Sequence, residues 1–330
     1  CTARCWERPP LQGSAARREG PVPGKGQQER AMDAGVPAPV VSVVIPTYNR
    51  AHLVGRALGS VLGQSFRDLE ALVVDDASAD GTEAVVRRVG DPRVRYLRHE
   101  ANRGAAAARN TGVRQARGRY VGFLDSDDQW LPHKLALQVP RLEADPGAAL
   151  VYGGWQWLSG DGEVVERRRV PDARGRIVGL PRWAFNVAVD FLARADLLRE
   201  VGYNEALRNY MECDLLLRLA ARGRFTFVSE VVVSCYSHRG PRLSDMAALH
   251  KSRELDYLLR EHGWRIRRDP AAWARFNLML GGLYLRNLRV GGPARRHLWR
   301  VVRARPLSWR GWAYALGSLL PPAALRPARR

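Results

Sequence analysis

From residue 40 the chain alternates short β-branched apolar runs with stretches whose apolar residues recur at helical spacing. The run "VVSVVIPTYNR" (residues 40–50) is apolar at almost every position up to Pro46, the pattern of a strand buried on both faces. Behind it Leu53, Ala57, Leu58, Val61 and Leu62 fall on one helical face and predict a helix of about three turns. "LEALVVDDAS" (69–78) predicts a second buried strand, and Asp80 with Glu83 has the spacing of a capping box opening a second helix. "VRYL" (94–97) predicts a third strand, "GAAAARNTGVRQA" (104–116) an Ala-rich helix and "YVGFL" (120–124) a fourth strand. This alternation predicts right-handed crossovers and an α/β fold built on a doubly wound, mostly parallel sheet. Ligands of such sheets lie outside the carboxyl ends of the strands. "PTYNR", "DDAS" and "DSDD" (125–128) are therefore expected along one rim.

Composition changes this picture at the two ends of the chain. The 330 residues are enough for about two domains, and a hydrophobic fraction of 46% argues for a globular protein. Residues 1–38 mix Pro, Gly, Gln and Arg without periodicity and are expected to be a disordered extension. Residues 1–31 are expected to lie upstream of a natural start at Met32. Beyond residue 245 the pattern becomes helical and Arg-rich, a composition suited either to a packed helical bundle or to an interfacial helix on an anionic membrane. The formal net charge is +20, and Lys25, Lys134 and Lys251 are the only lysines, so the excess is arginine, which suits phosphate. No signature of the usual nucleic-acid-binding modules is present. Cys1, Cys5, Cys213 and Cys235 form no CxxC pair, which argues against a zinc site or a disulfide framework. No apolar run reaches the roughly 18 residues of a membrane-spanning helix.

The acidic segments are the anomaly in so basic a chain. Asp75 and Asp76 end one predicted strand, and Asp125, Asp127 and Asp128 end another. Carboxylates brought close together repel unless a cation sits between them, and hard oxygen ligands suit Mg²⁺ or Mn²⁺. The competing explanation of "DSDD" is an N-cap cluster opening the next helix. GxGxxG after the first strand and GxxxxGK[ST] are both absent, which argues against dinucleotide and P-loop phosphate sites.

Four segments together, "VSVVIPTYNRAHLVGRALGSVLGQSF", "VVDDASADGT", "NRGAAAARNTG" and "YVGFLDSDDQWLPHKL", resemble the successive motifs of the family 2 glycosyltransferases, closely over residues 41–135 and more loosely to 245. The resemblance implies a GT-A fold over residues 39–245, with a Rossmann-like nucleotide-sugar-binding half at 39–135, an acceptor half at 136–245, and a helical C-terminal region at 246–330. It also implies an inverting transfer of one sugar from a nucleoside-diphosphate sugar, a UDP-sugar foremost, with a divalent cation (Mg²⁺ or Mn²⁺). The acceptor would be a glycan or lipid-linked hydroxyl in cell-envelope polysaccharide or glycolipid synthesis, at the cytoplasmic face of the cell membrane, with peripheral contact to anionic lipid.

Carried over by position, Pro46, Thr47 and Tyr48 would line the base pocket, with Asp75 supporting the strand end and Asp76 accepting from the base. Gly104 would permit close backbone approach and Arg109 would approach the nucleotide. Asp125, with Ser126 beside it, would face the ribose and the metal, Asp127 would ligate the metal, and His238 would lie near the diphosphate or metal. The family's general base is an acidic residue opening a later helix; here Met211-Glu212 replaces its usual acidic pair. Glu212 takes the base position and Asp214 follows two residues later. Asp214 and Arg218 also have the i,i+4 spacing of a helix ion pair. Trp155, Trp157 and Trp183 are either an acceptor-stacking platform or core, and Arg239, Arg242 and Ser244 suit a loop closing over the donor. A non-catalytic nucleotide-sugar-binding protein and a sugar-phosphate nucleotidyltransferase are the rival readings.

Overall fold

The computed structural model describes residues 38–169, 191–236, 248–287 and 291–319. The chain divides into Cys1–Ala38 and Pro39–Arg330, and the sheet, the helices and the site belong to the second. Among the described residues nine strands form one sheet in the order β3-β2-β1-β4-β8-β6-β9-β5, with β7 paired to β6. The first four, β1 (Val41–Thr47), β2 (Leu69–Asp75), β3 (Val94–Arg98) and β4 (Tyr120–Phe123), are the predicted ones, and they pair with one another in parallel. The crossovers are α1 (Val54–Leu62), α2 (Thr82–Arg88) and α3 (Ala105–Gln115).

The continuous apolar runs follow from burial on both faces. In β1, Val41, Val43 and Ile45 enter one core cluster, with Ala57, Leu58 and Val61 of α1. Val44 enters the other, with Ala106, Ala108 and Val113 of α3. A Cβ on Gly112 would fall inside the Val44 methyls, so glycine here is what lets α3 lie against β1. The chain moves from β3 to the far side of β1 to form β4, so the order of the strands reverses between β1 and β4. A cleft opens at such a switch point, outside the carboxyl ends of the strands.

The second half of the sheet departs from the parallel pattern. β8 (Leu192–Arg194) runs antiparallel to both β4 and β6 (Ala148–Leu158). β9 (Arg224–Tyr236) lies parallel to β6 and antiparallel to the short β5 (Gln129–Trp130). β7 (Val164–Arg168) forms a hairpin with β6. The remaining helices are α4 (Lys134–Ala144), α5 (Ala195–Val201), α6 (Met211–Leu219), α7 (Ala248–Ile266), α8 (Pro270–Gly282), α9 (Gly291–Ala304) and α10 (Trp309–Gly317), with a π-helical turn at Leu283–Asn287.

The region beyond residue 245 is not an appendage. Leu255, Leu258 and Ile266 of α7 and Phe276 and Leu280 of α8 share one core with Phe123 of β4 and Leu215 of α6. The bundle alternative therefore holds for α7 and α8. The capping box does not form: α2 starts at Thr82 without a side-chain cap. Asp80 accepts from Ala51 N and Thr82 N, each at 3.0 Å, and Glu83 pairs with Arg87. Cys213 and Cys235 are buried, and neither forms a disulfide.

Candidate active site at the switch point

The rim is built from loops stitched to one another. Pro46 and Thr47 are buried at the end of β1, while Tyr48 is 47% exposed. Asn49 has φ of 51°, a left-handed conformation that Asn tolerates better than most residues. Its N–H donates to Ser78 Oγ, and its Oδ1 accepts from Ala79 N, both at 2.8 Å, tying the loop after β1 to the loop after β2. Asp75, fully buried, accepts from Ser78 N at 2.8 Å and from the Tyr96 hydroxyl and Arg98. These bonds fasten the end of β2 to the loop after it and to β3.

Asp76 organises the loop that leads into α3. Its Oδ2 accepts from Gly104 N at 2.7 Å and its Oδ1 from Arg103 N at 2.9 Å. His99 Nδ1 lies 2.7 Å from the same Oδ1, and Nε2 lies 3.0 Å from Thr111 Oγ1. A carboxylate only accepts, so Nδ1 carries the proton. Gly104 has φ of 89°, which favours glycine, and stands at the N-cap of α3.

The acidic cluster occupies the turn after β4. One ligand atom each from Asp125, Asp127 and Asp128 lies within 4.8 Å of the other two. The capping alternative fails here, because α4 begins only at Lys134, with His133 as its N-cap residue. Burial, then Asp127 and Asp125, push the Asp128 carboxyl well above the usual carboxylate range, although it accepts from Tyr236 N at 3.1 Å. Asp125 is also pushed up, by burial first and by Asp127, against the opposing effect of Arg109. Ser126 between them is buried. Arg56 of α1 braces the turn by donating to Asp127 O at 2.6 Å, and its guanidinium lies 3.8 Å from the Tyr236 ring centroid.

Arg109 joins the cluster to the second acidic element. It is 2% exposed and donates from Nη2 to Asp125 Oδ1 at 2.7 Å, while Nη1 lies 3.4 Å from Glu212 Oε1. Its face lies over the Tyr203 ring at 5.6 Å. Burial disfavours its charge, but Asp125 and Glu212 outweigh that and raise its pKa further above the ordinary arginine value. Glu212, at the first turn of α6, is buried, and burial raises its carboxyl while Arg109 holds it down in part.

Asp214 is not brought into this cluster. Its Oδ2 takes two bonds from Arg218, at 2.8 and 2.6 Å, and its Oδ1 lies 2.8 Å from His262 Nε2 of α7. Arg218 also donates to Gly202 O at 2.7 Å and to Val201 O, closing the end of α5. Glu254 of α7 accepts from Arg208, Asn209 and Tyr210 N–H at 2.9, 2.8 and 3.1 Å, so it holds the loop immediately before Glu212.

Sequence reasoning missed Arg56, Tyr203, Glu254 and His262. Glu254 and His262 lie 42 and 50 residues beyond Glu212, with no local pattern linking them. Trp155 is buried in the core and meets Trp157 edge-on at 6.2 Å, so this pair packs as core rather than as an open platform. Trp183, His238, Arg239, Arg242 and Ser244 lie outside the described residues.

Residues 42–202 match the family model described as glycosyl transferase family 2. The chain carries a family 2 glycosyltransferase domain. It is 38% identical over 120 residues to the UDP-Glc:alpha-D-GlcNAc-diphosphoundecaprenol beta-1,3-glucosyltransferase WfgD of Escherichia coli, covering 36% of this chain and 47% of that protein. The chain thus spans about half the length of that relative or less. Among solved structures, S. aureus TarS 1-349 in complex with UDP-GlcNAc superposes with a TM-score of 0.60 at 17% identity, covering 84% of this chain and 88% of that one. The mannosyltransferase PcManGT from Pyrobaculum calidifontis, in complex with GDP-Man and Mn2+, gives 0.52 at 23% identity, covering 86% and 80%. Both likenesses support the GT-A architecture of the glycosyltransferase domain.

Proposed function

We propose that this chain is an inverting, metal-dependent glycosyltransferase that moves one sugar from a nucleoside-diphosphate sugar, a UDP-sugar foremost, to an acceptor hydroxyl in cell-envelope polysaccharide or glycolipid synthesis. One observation carries the reading: the converging carboxylates of Asp125, Asp127 and Asp128 at the carboxyl end of β4, joined through Arg109 to the buried Glu212. Three hard oxygen donors, with Asp125 and Asp128 raised first by burial and then by their acidic neighbours, form a donor set that fits Mg²⁺ or Mn²⁺. Asp125 and Asp127 would hold the ion, with His238 a further ligand, and a bound cation would offset the charge that grows on the leaving diphosphate. The complexes of TarS with UDP-GlcNAc and of PcManGT with GDP-Man and Mn2+ are in keeping with such a site.

The chain's own residues would divide the work. Pro46, Thr47 and Tyr48 line the base pocket, and Asp75, Asp76 and Gly104 shape the loops around it. Asp125 and Ser126 face the ribose, and Arg109 approaches the nucleotide. Glu212 takes the proton of the acceptor hydroxyl as that oxygen attacks the anomeric carbon, and the bond to the diphosphate oxygen breaks on the opposite face. Burial raises the Glu212 carboxyl, and Arg109 offsets part of that rise. Asp214, occupied by Arg218 and His262, acts as a positioning residue for α6. Residues 39–135 hold the donor and 136–245 the acceptor. The reading places the chain in the cytoplasm, peripheral at the inner face of the cell membrane.

Thermal stability with UDP, GDP and dTDP, each with and without Mn²⁺, tests the donor site. A metal-dependent rise with one nucleotide that disappears in Asp127→Ala is expected; no rise under any condition would remove the reading. Glu212→Gln should keep that rise and lose turnover by about 100-fold or more. A variant with undiminished turnover would rule Glu212 out as the base.

A further inference from the structure

The last two described helices have satisfied inner faces and unusual outer ones. Ala294, Leu298 and Val302 of α9 and Ala315 of α10 close a small core with Leu285. On α10, Trp309, Trp312 and Leu316 stand at i, i+3 and i+7 and share one side, and all are exposed, Trp309 at 72%. Trp299 of α9 meets Trp312 edge-on with ring centroids 5.7 Å apart, which joins the outer faces of the two helices. Leu307, 99% exposed, sits in the turn between them. Exposed apolar side chains grouped in this way mark an interaction surface.

The charge carried by α9 and α10 themselves has one sign. Arg295, Arg296 and Arg303 are exposed on α9 within about one turn of Trp299. From Pro270 to Arg330 the sequence has twelve arginines and no aspartate or glutamate, against a net charge of +20 for the whole chain. An aromatic centre on two helices that carry only basic charges matches an anionic bilayer surface, where tryptophan sits at headgroup depth and arginine reaches lipid phosphate. Among the described residues no helix is long and apolar enough to cross a membrane, so the fit is to a surface-lying arrangement.

We propose that α9 and α10 dock this chain on an anionic phospholipid surface through Trp299, Trp309, Trp312 and Leu316, with Arg295, Arg296 and Arg303 on the headgroup phosphates. The proposal rests on these faces and their charge, and not on the reading of the active site.

Vesicle flotation of the full chain tests it, with phosphatidylcholine alone against phosphatidylcholine containing about 30% phosphatidylglycerol. Binding about tenfold or more tighter to the anionic vesicles, and weakened by salt, is expected. The double variant Trp309→Ala/Trp312→Ala and the triple variant Arg295→Glu/Arg296→Glu/Arg303→Glu should each lower binding about tenfold or more, with the nucleotide response unchanged. No binding to anionic vesicles, or equal binding to neutral ones, would overturn the proposal. So would variants that bind as the parent does, or a concentration-dependent dimer that the tryptophan variants abolish, since the face would then belong to a second copy.

Discussion

Removing the Glu254 carboxylate tests how the proposed base is held in place. In Glu254→Ala the N–H groups of Arg208, Asn209 and Tyr210 lose an acceptor at 2.9, 2.8 and 3.1 Å. Hydrogen bonds to a charged group contribute about 1.5–3 kcal/mol each when buried. Simple addition overstates the loss, because Arg208 is exposed and Asn209 and Tyr210 are half-buried, so water can take over part of the role. A net cost of about 2–3 kcal/mol follows, or a fall of about 4–6 °C in the melting midpoint for a chain of this size. The larger consequence is geometric. Glu212 lies two residues beyond Tyr210, and a displacement of about 1 Å in a reacting group can cost about 100-fold in rate. Steady-state kinetics should therefore show kcat reduced about 10- to 100-fold with the donor KM nearly unchanged, and Glu254→Gln, which keeps one acceptor oxygen, should recover part of it. A fall in stability with kcat intact would refute the positioning role, as would equal losses in kcat and in donor binding.

Two further outcomes follow from packing and charge. Asp214 has its carboxyl below the ordinary value of 3.8, because its bonds to His262 and Arg218 outweigh the opposing effect of burial. The stabilisation it brings is thus fully present above that value and is lost as pH falls through the lower folded one. Asp214→Asn should cost about 3 kcal/mol at neutral pH, and melting curves of variant and parent should converge only as pH falls through the lower folded value; a gap that persists below it would assign the loss to shape rather than charge. Gly112→Ala forces a methyl into Val44 at the contact of α3 with β1, and denaturant unfolding should show a loss of about 1–3 kcal/mol or more, whereas an unchanged midpoint would mean that the helix can slide.

The sequence is most legible where one segment settles its own environment. β1, β2 and β4 are apolar on both faces, which only a strand covered on both sides requires, and each ends in polar residues that topology then gathers on one rim. The acidic triad is legible for the same reason, since its members fall within four residues of the chain and need only one turn to converge. What stays hidden depends on partners far away in sequence. The antiparallel setting of β8 is carried by a three-residue strand, too short for any period to register. Arg56 reads as part of the polar face of α1, and only the fold brings it to Asp127 O. Asp214 shows its helical pair Arg218 plainly, but its second partner, His262, carries no mark on α7 that distinguishes it from a surface residue.

The grip of α7 on α6 also sets an order of events during synthesis. A nascent chain offers its residues from the amino end, and domains fold as the segments they need become available. The strands and loops around Asp76 and Asp125 can assemble once the first half has emerged, but the loop before Glu212 has no acceptor for its three N–H groups until Glu254 follows, and Asp214 has no second partner until His262 does. A partly made protein can therefore possess the loops that carry Asp76 and Asp125 while the Glu212 element is still unanchored. Glu254 and His262 of α7 complete the anchoring of Glu212's element, which makes α7 a late checkpoint in the maturation of the cleft.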